Sequence, residues 1–403
     1  MAREEIVVGL DIGTSKVCVV VGELQKDSSI KIIGVGEAAS RGVRKGEIVD
    51  FDICGKCIRE AIVEAQEKSD VNIKNVYLGV TGAHMESVNS RGSYMLPEER
   101  DEISNEDIEA VQNNARDIPV SVHNTLLHTI LQHYYIDSQD GVLNPVGMFG
   151  RKLEADCHII HGITSRIKNT TRCVKELKLE VEDFVFNPFA SAQVVLDHQQ
   201  KLAGALAIDM GGGTTGYMAY INGAVRYSGV LGLGGDHVTN DLSLGLRIPM
   251  AKAEKLKIEH GCATIGNSEP GDVISLRDEH GFAGKKIERE TLNTIIRLRV
   301  RETLELLKER LMKGNALNML GGGIVLTGGG SLMRGVKHLA EEVFPDIPVQ
   351  LTRAQNMTGN ISAFENPRYS TAIGLVKYAQ ATIELEHKGF FGSLFDWIVS
   401  GRK

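Results

Sequence analysis

A chain of 403 residues is too long for one small core, so two or more domains are expected. Its 42% hydrophobic and 24% charged content describes a globular protein, not a disordered one. A formal net charge of −7, with no basic block longer than "RGVRKGE", argues against a general nucleic-acid binder.

The opening "MAREEIVVGLDIG" lacks the layout of a secretion signal. No run approaches the roughly 18 apolar residues of a membrane span. Residues 5–38 alternate apolar stretches with turns and read as three strands in a meander. The turn "LDIGTSK" (10–16) sets Asp11 at a strand end, followed by Gly13, Thr14, Ser15 and Lys16. Glycine lets backbone approach a ligand closely, and exposed N–H groups in such turns form anion nests. The hydroxyls add donors, and Lys16 adds a charge suited to phosphate. "GVGEAA" (34–39) imitates a dinucleotide fingerprint, but it ends the third strand with no helix clearly starting there.

A helix is expected over about 52–68. It carries Cys54 and Cys57 as C-x-x-C, with no second pair to complete a zinc site, so both read as ordinary thiols. Six scattered cysteines, read as reduced, suit the cytoplasm. After the strand "NVYLGV" the pattern changes from about His84 to Gly162. An acidic loop, a helix and strands near 126–136 and 153–161 read as an inserted subdomain. His123, His128 and His133 are five apart, on no single helix face, and read as strand or loop residues without a ligand role. A helix near 165–177, the strand "VEDFVF" and the helix "FASAQVVLDH" return to an α/β pattern.

Then the layout restarts. "GALAIDMGGGTTGYMAYINGAVRYSGVL" repeats the strand–Asp–turn–strand–turn–strand order of the first residues, with Asp11 and Asp209 198 positions apart. The self-similarity implies two related domains, each opening with the same hairpin. The second turn supplies Gly211, Gly212, Gly213, Thr214 and Thr215, and a third glycine turn, "LTGGGS", spans 326–331. Two carboxylates at strand ends suit a hydrated Mg²⁺ whose other ligands are water and phosphate oxygens. Helices are expected over about 236–244, 249–259 and 289–313, then a short strand "PVQL" and a helix near 368–386. "GFAGKK" (281–286) lacks P-loop spacing, and no H-E-x-x-H occurs.

Duplicated "DIGT" and "DMGGGTT" hairpins with "LTGGGS" resemble the actin/Hsp70/sugar-kinase superfamily over nearly the whole chain. The resemblance implies an α/β, actin-like duplicated fold: two RNase H-like domains around a nucleotide cleft that takes ATP and Mg²⁺. It sets Asp11 and the 13–16 turn in the first phosphate loop and 209–215 in the second. Gly328, Gly329, Gly330 and Ser331 match the adenosine loop. "GLGGDHVTNDL" matches the segment that brings Gly234, Gly235 and Asp236 near the ligand. "AEKLK" resembles the family's Glu-x-x-Lys helix, which implies Glu254 on the ribose hydroxyls and Lys257 beside the purine; an ordinary surface pair is the alternative. Members that cleave ATP well place Glu or Gln near an "xPxASA" turn. Here that turn is "FNPFASA", and Asn187 stands in the place. Asn cannot act as a base at neutral pH, so ATP turnover should be slow at best.

Within the superfamily, "NPVGMFGRKLEADCHII" and "GVGEAASRGVRKGEIVD" resemble the FtsA family of bacterial cell-division proteins. That resemblance implies subdomain 1A at 1–83 and 163–198, an inserted 1C at 84–162, 2A at 199–230 and 301–365, and 2B at 231–300. A return helix of 1A with a short tether would occupy 366–387, and an amphipathic membrane-targeting helix 388–403. Implied partners are the C-terminal tail of the ring protein FtsZ on 2B, further copies in a filament, membrane lipid and other division proteins. The implied place is the cytoplasmic face of the cell membrane at the division site. Arg289, Arg297, Arg299 and Arg301 could meet an acidic tail; a solvated face is the alternative.

The last residues, "KGFFGSLFDWIVSGRK", carry a signal of their own. At about 100° per residue, Phe390, Phe391, Leu394, Phe395, Trp397 and Ile398 fall in an arc of about 160°. Such a segment is too short to span a bilayer but can lie in its interface. Docking on its own domain is the alternative, although the preceding "TIELEHKG" reads as a tether. Two other classes stay open. A sugar or carboxylate kinase would need a catalytic Asp facing a substrate pocket, and no clear candidate is found. A PilM-type pilus assembly ATPase usually lacks a lipid-seeking tail.

Overall fold

The computed structural model describes residues 5–266, 271–278, 282–355 and 357–387, with the side chains of 361 and 385–387 outside the description. The membrane-segment candidates Phe390, Phe391, Leu394, Phe395, Trp397 and Ile398 lie outside the described residues.

The first domain opens as expected with β1 (Glu5–Ile12), β2 (Lys16–Leu24) and β3 (Ile30–Ala39) in an antiparallel meander. Alternate residues enter different cores: Val7, Cys18 and Val20 face the layer between the domains, while Val8, Leu10, Val17 and Val19 face the outside layer. Burial on both faces is why these strands read as unbroken apolar runs. A small hairpin, β4 (Val43–Arg44) and β5 (Glu47–Ile48), leads to α1 (Phe51–Ser69). Asp50 caps α1 by accepting from Ile53 N, and Cys54 and Cys57 lie on its buried face as free thiols. β6 (Asn75–Val80) then runs parallel to β1.

The insertion comprises β7 (Glu86–Met95), α2 (Asn105–Arg116), β8 (Asn124–Ile136), β9 (Gln139–Val142) and β10 (Lys152–Ile163). Its sheet has the order β7-β10-β8-β9, and Val111 and Ala115 of α2 pack on it. β10 runs directly into α3 (Thr164–Lys175), followed by β11 (Glu180–Phe186) parallel to β6, α4 (Asn187–Val195) and α5 (His198–Ala203).

β12 (Ala205–Met210), β13 (Thr215–Ile221) and β14 (Ala224–Leu231) repeat the first meander. Asp209 stands opposite Gly216 as Asp11 stands opposite Cys18. Next come α6 (Gly235–Leu246), α7 (Met250–His260), the hairpin β15 (Val273–Leu276) and β16 (Lys285–Glu288), and the long α8 (Arg289–Lys313). α8 runs unbroken through position 300, where the boundary between 2B and 2A was expected. β17 (Gly323–Thr327), α9 (Val336–Val343) and β18 (Val349–Leu351) complete a sheet of order β14-β13-β12-β17-β18.

The chain regains the first domain before position 366. β19 (Met357–Gly359) joins β3 as the edge of the sheet β11-β6-β1-β2-β3-β19. α10 (Ile361–Phe364) and α11 (Ser370–His387) follow. α11 stays helical through His387, so the part of the tether reading that falls on 382–387 continues the return helix.

α4 and α11 lie between the two large sheets and share one apolar core with both. Helices α1 and α3 cover the outer face of the first sheet, and α6 to α9 that of the second. The two central helices cross at backbone contact: a Cβ added to Gly374 would stand 2.0 Å from Ala190 O. The insertion is seated on β14 by polar contacts. Gln132 Nε2 donates to Val225 O at 2.6 Å, and Ser87 Oγ to Ser228 O at 2.8 Å. His158 is buried between Asn89 Oδ1 at 2.7 Å and Ser228 Oγ at 2.8 Å.

Candidate functional site

The duplicated hairpins bring their turns together at the ends of β1 and β12. Gly13 N donates to Lys16 O, and Gly211 N to Thr214 O, both at 2.9 Å, so each domain makes the same turn. A Cβ added at Gly212 would stand 2.9 Å from Ser15 Cβ, and one at Gly213 2.5 Å from Thr14 Oγ1. Only a hydrogen fits between the turns.

A cavity of about 500 Å³ opens beside them, within the size range of nucleotide and cofactor pockets. The three glycine turns, Asn187, Gly234, Gly235, Asp236, Glu254 and Lys257 all line it. Ser331 does not; its buried hydroxyl donates to Gly328 O at 2.7 Å and closes its own turn.

Asp11 is buried and Asp209 half-buried within this site. Burial pushes the Asp11 carboxyl above its ordinary range, against the pull of Lys16, 3.9 Å away, and of Asn187, whose Nδ2 donates to Oδ1 at 2.9 Å. Burial likewise pushes Asp209 up, against a 2.9 Å hydrogen bond from Thr371, and the neighbouring Asp11 charge adds to the rise. Two neighbouring acids held above their ordinary range suit a cation close to them. Among the described residues no cluster of three or more His, Cys, Asp or Glu could hold a metal. The pair therefore fits an ion that takes its remaining ligands from water and phosphate. Lys16 Nζ and Asn187 Oδ1 are buried without a hydrogen-bond partner. Leaving such groups unsatisfied is costly, so both point to a polar ligand.

At the other end of the cavity, Lys257 Nζ donates to Glu254 Oε2 at 2.6 Å, Thr239 Oγ1 at 2.8 Å and Gly235 O at 3.1 Å. Glu254 and Lys257 thus belong to a network tying α7 to α6, not to a surface pair. All three ammonium donors are engaged, while Glu254 keeps one carboxylate oxygen for a ligand.

The four arginines of α8 each hold a carboxylate of their own chain. Arg289 pairs with Asp272, Arg297 with Glu342 and Arg299 with Asp241, all at 2.5 Å; Arg301 pairs with Glu305 at 2.8 Å. Sequence reasoning missed Thr371, Arg368 and Thr81, which also line the cavity. Thr371 reaches Asp209 from α11, 162 positions along the chain, and no local motif marks it.

Two meander-led sheets, helices sandwiched between them and a carboxylate-floored cleft where the hairpins meet define an actin-like protein. The family model of cell division protein FtsA matches residues 206–374, and that of the SHS2 domain inserted in FtsA matches residues 82–161. The chain belongs to the FtsA family of cell division proteins. It is 36% identical over 374 residues to cell division protein FtsA of Pseudomonas aeruginosa, covering 93% of this chain and 89% of that one. Against FtsA of Escherichia coli it is 36% identical over 386 residues, covering 93% and 90%.

Among solved structures, a chain of the PilM–PilN type IV pilus biogenesis complex superposes with a TM-score of 0.67 at 15% identity, covering 93% of this chain and 98% of that one. MreB 5 of Spiroplasma citri bound to AMPPNP gives 0.57 at 16% identity, covering 96% and 98%. These two share the fold. Among the described residues no helix is long and apolar enough to cross a membrane.

Proposed function

We propose that the cleft binds ATP with Mg²⁺, and that the protein polymerises and tethers the FtsZ ring to the cytoplasmic membrane through residues 388–403, recruiting later division proteins. The observation that carries the nucleotide reading is the carboxylate pair, Asp11 buried and Asp209 half-buried, set beside a Lys16 Nζ that makes no hydrogen bond, in a cavity rimmed by glycine turns. The N–H groups of the turns and Lys16 hold phosphates, Asp11 and Asp209 hold Mg²⁺ through water, and Gly328 to Gly330 with Glu254 hold the adenosine. The ion supplies neutralisation of phosphate charge. The AMPPNP carried by the Spiroplasma citri relative in fold supports this assignment.

Asn187 holds Asp11 in place and cannot take a proton from water, so hydrolysis is slow. Because the nucleotide touches both domains, it biases the cleft between open and closed, and with it the surfaces through which copies stack. The arginines of α8 are weak candidates for the FtsZ tail, since an incoming carboxylate would displace one already bound.

Six large apolar side chains in the last segment, at about 1.5–3 kcal/mol each when fully buried, give one molecule a modest lipid anchor after ordering costs. A filament multiplies that anchor by raising effective concentration. Titration calorimetry with Mg·ATP tests the cleft: binding that disappears when Mg²⁺ is chelated is expected, and no heat with or without the metal overturns the reading.

A further inference from the structure

The hairpin of β4 and β5 packs against the first phosphate turn at the edge of the cleft, and its residues do not line the cavity itself. Three of its residues have positive φ: Gly42 at 76°, Lys45 at 51° and Gly46 at 77°. For lysine that conformation is uncommon. The tip is fastened to the first phosphate turn, where Gly46 N donates to Thr14 Oγ1 at 3.0 Å. Its base is closed by Val49 N and Asp50 N on Gly42 O, at 2.8 and 3.1 Å, and by the ion pair of Glu47 with Arg166.

So held, Lys45 crosses to the other domain. A Cβ added at Gly232 would stand 3.7 Å from Lys45 Cδ and 3.9 Å from its Nζ. Gly232 lies just ahead of Gly234, the N-cap of α6, and the N-terminal end of a helix carries positive partial charge. His237 of the first turn of α6 is held below its ordinary range by burial first and by the Lys45 charge second. Among the described residues Lys45 makes no hydrogen bond or ion pair. A half-buried cation with no ion pair of its own therefore lies against the N-terminal end of α6, whose first turn also carries Asp236. The second cation of the region, Lys16, lies over nine-tenths buried in the cavity with no hydrogen-bond partner. Two cations without hydrogen bonds on this side of the cleft suit an anion.

We propose that Lys45 contacts the terminal phosphate of a triphosphate nucleotide from the first domain while lying against the second, and so distinguishes triphosphate from diphosphate across the cleft. This rests on the nucleotide reading above. With the third phosphate present, the ammonium joins the two domains through it; without it, the ammonium has no anionic partner across the cleft.

The test is calorimetry of the full chain with Mg·AMPPNP and with Mg·ADP, for the wild type, Lys45→Ala, Lys45→Arg and Arg44→Ala. Arg44 is exposed on the same hairpin and controls for general charge. Lys45→Ala should weaken Mg·AMPPNP about tenfold or more, the worth of a charge-assisted hydrogen bond, and leave Mg·ADP within about twofold. Unchanged Mg·ADP affinity also shows that the variant is folded. Lys45→Arg should recover most of the loss, and Arg44→Ala should match the wild type. If Lys45→Ala weakens both nucleotides equally or neither, the Lys45 assignment falls while the cleft stands. It falls equally if free phosphate tightens Mg·ADP through Lys45 without any effect on Mg·AMPPNP. If the wild type binds neither nucleotide, the cleft reading falls and takes this one with it.

Discussion

Burial holds the Asp209 carboxyl above its ordinary range. Its raised carboxyl contributes stability that is complete below the ordinary value of 3.8 and lost as pH rises through the raised one. The nucleotide-free protein should therefore gain resistance to urea at neutral pH when Asp209 becomes Asn, with the gain fading in acid. The same variant should lose Mg-dependent nucleotide binding by about tenfold or more. Equal urea midpoints at neutral pH, with binding intact, would contradict the account. The site's residue types were readable because acids, glycines and hydroxyls recur at the same spacing in both domains. Their partners were not. Nothing near Ser331 announces that its hydroxyl closes its own turn, and nothing near Lys257 announces the network through Thr239.

Elements were legible where a single period ran long enough. β1 and β12, buried on both faces, read as unbroken apolar runs ending in an acid, and α8 was readable from its length of helical spacing. β19 was missed because three residues carry no period and the strand exists only by pairing with β3. Contacts between elements carry two predictions. Gly374→Ala drives a methyl into Ala190 O where α11 crosses α4, and should lower unfolding free energy by about 1–3 kcal/mol or more; an unchanged melting temperature would show the helices are not so close.

His158, where the insertion meets β14, is pulled down by burial and by Arg226 to about 3. The unfolded chain takes up this proton first, so the stability it lends is present above 6.5 and drains away as pH falls from there toward 3. One such group gives at most about 1.4 kcal/mol per pH unit. His128, held near 4 by burial, adds a similar slope of its own. Urea midpoints taken below pH 6.5 should therefore fall less steeply in His158→Gln than in the wild type. Parallel slopes would mean the imidazole is not held neutral in that seat.

For the molecule as a whole, the duplication is the fact that sequence carries best, because the same hairpin must be built twice to floor one cleft. The insertion stood out because its acidic loop and long strands break the surrounding α/β alternation. Division of labour follows from the layout. The cleft is formed within residues 5–387, so a chain ending at His387 should bind Mg·ATP like the full chain while no longer sedimenting with anionic lipid vesicles. Vesicle pelleting that survives this truncation would place the lipid contact elsewhere.

α11 joins the two ends of this arrangement. At one end Thr371 donates to Asp209, and Ser370 Oγ stands 2.7 Å from Thr327 Oγ1; toward the other, Gln380 Nε2 donates to Ser28 O at the far turn of the first sheet. The helix, of 18 residues and about 27 Å, is a strut running through the middle of the protein. If Asp209 holds Mg²⁺ through water as proposed, tension applied at the end of this strut would reach the hydroxyl that steadies that carboxylate.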